Sequence, residues 1–200
     1  MIEFYLDIDG VILDFESSFV DFVRDYYIPD LPADYILQSW EMGEEFKSLD
    51  IEEVWGKFVN SDHFSCMPLI AEKESFNNLS STFPLYLVTN IPNAQFKGRV
   101  ANLNLHGLEY SGLHLAGHFN FGDESYPTKS QKIKELRKPE SKIIFLDDHP
   151  KNCLDVKSNF PDSQVYLMDR PHNKEVRDQS WTRVMNWLEF YHLMKQRIFN

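Results

Sequence analysis

Apolar positions along the chain fall into two alternating kinds of run. Short, nearly continuous runs rich in β-branched and aromatic residues predict buried strands near 2–8, 84–90, 113–116, 142–147 and 164–168. Between them, apolar residues recur at helical intervals from Phe15 to Tyr27, from Ile51 to Val59 and from Ser130 to Leu136, and another helix is expected to start at Pro150 or Lys151. The stretch from Trp181 to Ile198 carries a near-helical stripe of Val184, Trp187, Leu188, Tyr191 and Met194, which predicts a helix packed on the sheet. Strand alternating with helix predicts an α/β layer fold.

One interval breaks the rhythm. Roughly seventy residues separate Asp14 from Pro84, far more than a crossover helix needs. The interval holds helical patterns, the turn-like Ile28-Pro29-Asp30-Leu31-Pro32, and a dense set of aromatics that includes Phe15, Phe19, Phe22, Trp40, Trp55, Phe58 and Phe64. Most of these rings are expected to form a local core. Trp40, in a stretch without clear helical periodicity, is the candidate for a ring that faces a substrate.

Composition narrows the function classes. Two hundred residues with 42% hydrophobic content can bury a core in one domain, or in one domain plus an insertion. A net charge of −11 argues against a nucleic-acid polymer or an anionic membrane as partner. It leaves room for a small phosphorylated substrate, whose local field one lysine and a metal can set. Cys66 and Cys153, in a chain with no secretory pattern, read as reduced thiols and predict a cytoplasmic location. The histidines and cysteines form no joint framework of ligand spacing, so zinc is not expected.

The chemistry is concentrated at the ends of predicted strands. The first run, Glu3-Phe4-Tyr5-Leu6, ends in Asp7-Ile8-Asp9-Gly10, two carboxylates spaced i, i+2 and then a glycine. On extended backbone that spacing puts both anions on one side, where each raises the other's pKa unless a cation or a division of acid and nucleophile roles relieves them. Taken alone, the tetrapeptide reads equally well as a solvated turn. Lys142-Ile143-Ile144-Phe145-Leu146 also stops at paired carboxylates, Asp147-Asp148, and Leu85-Tyr86-Leu87-Val88 stops at Thr89-Asn90. Lys129 follows Pro127-Thr128 at a helix start, with Lys132 as a competitor one turn on. Ligands of an open parallel sheet bind beyond the carboxyl ends of its strands, so these groups are expected to share one crevice.

An Asp at one strand end, a Thr at the next, a Lys at a helix start and an Asp-Asp at a third strand end resemble, in that order, the four motifs of the haloacid dehalogenase-like (HAD) phosphatase superfamily. The resemblance runs from Asp7 to Asp148. It implies a Rossmann-like parallel sheet of about five strands with helices on both faces. It also implies a catalytic core from 1–14 and 80–200 and a mobile helical cap at 15–79. Asp7 would be the nucleophile, forming an aspartyl-phosphate, and Asp9 the acid/base, with a pKa nearer neutrality than that of Asp7. Thr89 and Lys129 would bind the phosphoryl group, helped by backbone N–H groups of Gly10 and Asn90. Mg²⁺ would be held by Asp7, the Asp9 carbonyl and one of the final pair, Asp148 directly with Asp147 through water, or the reverse.

Dehalogenases proper lack the acid two residues after the nucleophile, so Asp9 favours phosphate transfer. Three short stretches, Asp9 to Glu16, Phe64 to Leu69 and Asp169 to Asn173, resemble the 5′(3′)-deoxyribonucleotidase-like branch and imply a nucleoside (deoxy)monophosphate as substrate, as for a 5′-nucleotidase. Asn90 where the animal enzymes carry serine, and the longer separation of Lys129 from the final pair, depart from that branch. A phosphotransferase or phosphomutase, and a non-catalytic binding protein of the same fold, are the competing readings.

Overall fold

The computed structural model describes residues 1–39, 42–119 and 124–198, so Trp40 lies outside the described residues. In chain order the elements are β1 (Ile2–Leu6), α1 (Phe15–Tyr26), α2 (Met42–Glu45), α3 (Ile51–Phe58), α4 (Asp62–Ser65), α5 (Lys73–Thr82), β2 (Leu85–Thr89), α6 (Phe96–Leu105), β3 (Gly112–Leu115), α7 (Lys129–Leu136), β4 (Lys142–Asp147), α8 (Pro150–Asn159), β5 (Gln164–Met168), β6 (Thr182–Val184) and α9 (Trp187–Ile198). The strands form one parallel sheet in the order β3-β2-β1-β4-β5-β6.

Strand alternation divides the core into two layers. Phe4, Leu6, Leu87, Ile144 and Leu146 face one way, against Phe76 and Leu79 of α5 and Phe190 and Met194 of α9. Tyr5, Val88, Ile143 and Phe145 face the other way, against Ile133 of α7 and Cys153 and Val156 of α8. Parallel strands covered on both faces have no solvent side, which is why they read as continuous apolar runs rather than as alternating ones. The first layer continues into the aromatics of the long interval. Phe15, Phe19, Phe22, Phe58 and Phe64 are all buried in it, with ring pairs such as Phe19–Phe58 edge to face at 5.1 Å. Tyr26, by contrast, is exposed.

The C-terminal segment differs from expectation. Its helix starts at Trp187, not Trp181, and Thr182–Val184 adds a sixth strand at the sheet edge, with Tyr166 opposite Thr182 and Met168 opposite Val184. Three residues make a single strand alternation, and the buried Val184 that results fits a helical stripe equally well. Asp169 to Asn173, expected to follow the final strand, therefore lies between β5 and β6. Among the described residues no helix is long and apolar enough to cross a membrane.

Candidate active site

Sheet register brings the strand ends level. Leu6 lies opposite both Leu87 and Leu146, so Asp7, Asp9, Thr89, Asp147 and Asp148 all emerge within three residues of one line across the sheet. Asp7 and Asp147 continue the face that bears Tyr5 and Phe145, which is the face α7 covers. Thr128 caps α7 by accepting from the Gln131 N–H, while the Gln131 side chain accepts from Thr128 N–H. That cap aims the next residue, Lys129, under the strand ends. Its Nζ lies 2.8 Å from Asp7 Oδ1 and 2.6 Å from Asp147 Oδ2, with the side chain 1% exposed. Lys132 pairs instead with Glu135 of its own helix.

The two carboxylates of β4 are treated differently. Asp147 accepts from Lys129, from the His149 N–H at 2.8 Å and from Asn152 Nδ2 at 3.1 and 3.2 Å, so both its oxygens are engaged. Asp148 is equally buried, but no hydrogen bond reaches its Oδ2, from which His172 Nε2 stands 3.5 Å away. Its backbone is pinned by Asn173 Nδ2, which donates 2.7 Å to the Asp148 carbonyl. Gly10 allows the close approach opposite: at φ +74° it presents no side chain, and a Cβ there would stand 2.1 Å from Asp148 Oδ2. Its N–H, expected to face a phosphoryl group, instead donates 2.9 Å to the Leu13 carbonyl within the turn. Arg170 holds this turn from behind, Nε donating 2.7 Å to the Gly10 carbonyl. The stretch from Asp169 to Asn173 thus braces the site.

Asp7, Asp147 and Asp148 each offer an oxygen within 4.8 Å of the other two. Three buried carboxylates against one buried ammonium leave the centre anionic. Burial pushes Asp7 up to about 7, against the pull of Lys129 and with a further push from Asp147, so without a cation Asp7 itself stands at neutrality, where the resemblance implied Asp9. Asp148 is also raised, by burial first and then by the charges of Asp7 and Asp147. Lys129 ends above its usual range because Asp147 and Asp7 outweigh the burial that lowers it. An all-oxygen donor set with a buried carboxylate oxygen that no hydrogen bond engages fits a hard divalent cation.

Asp9 sits on the other side of the turn with a partner the sequence reading missed. Arg99 of α6, its side chain wholly buried, brings Nη2 to 2.9 Å from Asp9 Oδ1 and 3.2 Å from Oδ2. Burial still raises the Asp9 carboxyl, with Arg99 and Lys129 opposing. The available signal was an arginine inside the helix that follows Thr89-Asn90, but nothing local joins it to a residue ninety positions earlier. Thr89 is 1% exposed and its Oγ1 has no hydrogen-bond partner.

Asn90 spends its side chain elsewhere. Nδ2 donates 3.1 Å to the Phe119 carbonyl and Oδ1 accepts from the Phe119 N–H at 2.9 Å, clasping the loop after β3. His149 caps α8, accepting from the Lys151 N–H, and its ring packs 4.2 Å from that of His118. Burial pushes the His149 ring down to about 3.

No protein-family model matches the chain, and no curated protein matches it in sequence. Solved structures do. The L-2-haloacid dehalogenase from Xanthobacter autotrophicus, with chloropropionic acid covalently bound, superposes with a TM-score of 0.63 at 11% identity, over 98% of this chain and 100% of that one. A Thermotoga maritima protein assigned as a β-phosphoglucomutase gives 0.61 at 13% identity, over 99% and 100%. The HAD-type hydrolase YfnB from Bacillus subtilis, bound to magnesium, gives 0.57 at 15% identity, over 96% and 98%. At such identities the likeness is one of architecture: this chain has the fold shared by the haloacid dehalogenase-like hydrolases.

Proposed function

We propose that the protein is a Mg²⁺-dependent phosphomonoester hydrolase that works through an aspartyl-phosphate on Asp7. The observation that carries this reading is the buried Asp7–Lys129 pair flanked by two oxygens that no hydrogen bond engages, Thr89 Oγ1 and Asp148 Oδ2. An ammonium has three N–H bonds. Two of those on Lys129 go to Asp7 and Asp147, which leaves the third for a phosphoryl oxygen. The Thr89 hydroxyl is a second donor for that group, and preorganised donors of this kind stabilise charge that builds up in the transition state.

In the first step a carboxylate oxygen of Asp7 attacks phosphorus, the P–O bond to the leaving group breaks, and Asp9 gives its proton to the departing oxygen. In the second, Asp9 takes a proton from water, the hydroxide oxygen attacks phosphorus, and the Asp7–phosphorus bond breaks to release inorganic phosphate. A divalent cation held by Asp7, the Asp9 carbonyl and Asp148, with Asp147 behind them, would keep Asp7 ionised and offset charge on the phosphoryl oxygens. Asp148 rather than Asp147 is assigned the direct bond because Asp147 already has its oxygens engaged.

We assign residues 15–79 as a cap over a core built from 1–14 and 80–200, with substrate choice residing in the cap. The substrate class to test first is the nucleoside (deoxy)monophosphates, and the expected location is the cytoplasm, in keeping with two free thiols. The test is a panel of phosphorylated metabolites, nucleotides and p-nitrophenyl phosphate assayed with Mg²⁺ and with EDTA, beside 2-haloacids assayed for halide release. Mg²⁺-dependent phosphate release that is lost in Asp7→Asn is expected. Halide release without phosphatase activity, or no turnover of any substrate by folded protein, overturns the proposal.

A further inference from the structure

Helix α6 carries polar groups where a packed helix usually carries its apolar stripe. Arg99 and Asn102, with His106 just past its last residue, fall at i, i+3 and i+7, along one face. Arg99 and Asn102 are each 1% exposed. All three turn toward the chain that returns from the long interval. Asn102 Nδ2 donates 2.6 Å to the Ser65 carbonyl. His106 Nε2 lies 2.9 Å from the Met67 carbonyl. Arg99 lays its guanidinium 4.4 Å over the centroid of the Phe64 ring, and its Nη1 lies 3.3 Å from Met67 Sδ. The remaining end of the fork, Nη2, meets Asp9.

A buried guanidinium is costly unless a charge partner offsets it. Its planar fork holds a carboxylate in one orientation better than a flexible ammonium does. Phe64 and Met67 fix the plane of that fork, and Asn102 and His106 fix the backbone that carries Phe64 and Met67. We propose that Arg99 is a positioning residue for the proton transfer made by Asp9, holding the Asp9 carboxylate in one orientation from a seat built by α6 and the returning segment Phe64–Met67. The proposal rests on the phosphatase reading and assigns Arg99 no contact with the substrate.

A structural strut and a positioning residue make different demands on the leaving group. Protonation matters greatly when the departing oxygen is an alkoxide and little when it is p-nitrophenolate. Loss of Arg99 should therefore fall unequally on an alkyl phosphate and on p-nitrophenyl phosphate. The experiment compares kcat/KM for both substrates, with Mg²⁺, in wild type, Arg99→Ala, Arg99→Lys and Asn102→Ala, with thermal unfolding as a control. General acid assistance is worth about 10²- to 10⁴-fold. The expected result is thus a loss for Arg99→Ala at least about tenfold greater on the alkyl phosphate, with partial recovery in Arg99→Lys. Asn102→Ala, which loosens the seat without touching Asp9, should shift the same ratio less. If Arg99→Ala does not fold, Arg99→Lys and Asn102→Ala carry the comparison. Equal losses on both substrates in an active series overturn the positioning role and leave the phosphatase reading intact. Wild type inactive on both substrates overturns the phosphatase reading and this proposal with it.

Discussion

Replacing Asp7 with asparagine should stabilise the metal-free protein while abolishing turnover. Asparagine matches the shape of a protonated aspartate and keeps an oxygen for the Lys129 N–H, but carries no charge. The cost it removes follows from the raised carboxyl of Asp7. Burial is the largest cause and the charge of Asp147 adds to it, so the folded state takes the group from its ordinary 3.8 to about 7. Each tenfold difference in proton affinity is worth 1.36 kcal/mol, so ionised Asp7 opposes folding by roughly 4 kcal/mol at most. The sign is the reverse of an ordinary salt-bridged aspartate. Here the folded state holds its proton more tightly than the unfolded chain, so the penalty is absent below about pH 4, grows as pH rises, and is complete above about pH 7.

The expected gain for Asp7→Asn in EDTA at pH 8 is about 2–4 kcal/mol, or roughly 4–16 °C in Tm for a chain of this size. At pH 5 the gain should shrink to less than half. His149 and His118, both held low chiefly by burial, lose stability as pH falls through the normal histidine range. They are common to both proteins and cancel in the difference. Thermal unfolding of wild type and variant in EDTA at pH 5 and pH 8 measures this directly. Added Mg²⁺ should raise the wild type more than the variant, because only the wild type keeps the full donor set. A variant no more stable than wild type at pH 8 in EDTA would refute the electrostatic argument.

Gly10→Ala should strain the turn at φ +74° by about 1–2 kcal/mol and displace Asp148, whose Oδ2 would lie 2.1 Å from the new Cβ. Weaker Mg²⁺ binding by titration and a lower Tm are expected, and wild-type Mg²⁺ affinity would show that the close approach is unimportant. At the opposite end of β1, Glu3 is fully buried and accepts from Tyr5 Oη at 3.0 Å and Ser141 Oγ at 2.6 Å. Glu3→Gln, which turns an amide donor toward those donors, should cost about 1–3 kcal/mol by thermal unfolding with kcat/KM unchanged at 25 °C, and a neutral result would mean the network re-pairs.

Much of the molecule was legible one segment at a time. Five strands and the helices at Phe15, Ile51, Lys129 and Pro150 lie within two residues of their predicted starts, because a covered parallel strand and an amphipathic helix each write their period into local sequence. The gathering of Asp7, Thr89, Asp147 and Asp148 was also foreseeable, since parallel strands present their carboxyl ends on one edge. Other features needed the tertiary structure. The resemblance favours Lys129 over Lys132, but that Lys129 is fully buried between two carboxylates, Asp7 and Asp147, while Lys132 pairs within its own helix, is visible only in the fold. Asp147 and Asp148 are adjacent in sequence, yet strand alternation turns one toward Lys129 and Asn152 and leaves the other with an oxygen that no hydrogen bond engages. The edge strand β6 was hidden because three residues are too few to show a period. Arg99 was hidden because its meaning lies in Asp9, Phe64 and Met67. Local periodicity reports which face of a segment is buried, whereas the pairing of a buried charge depends on strand order and helix rotation, which are properties of the whole sheet.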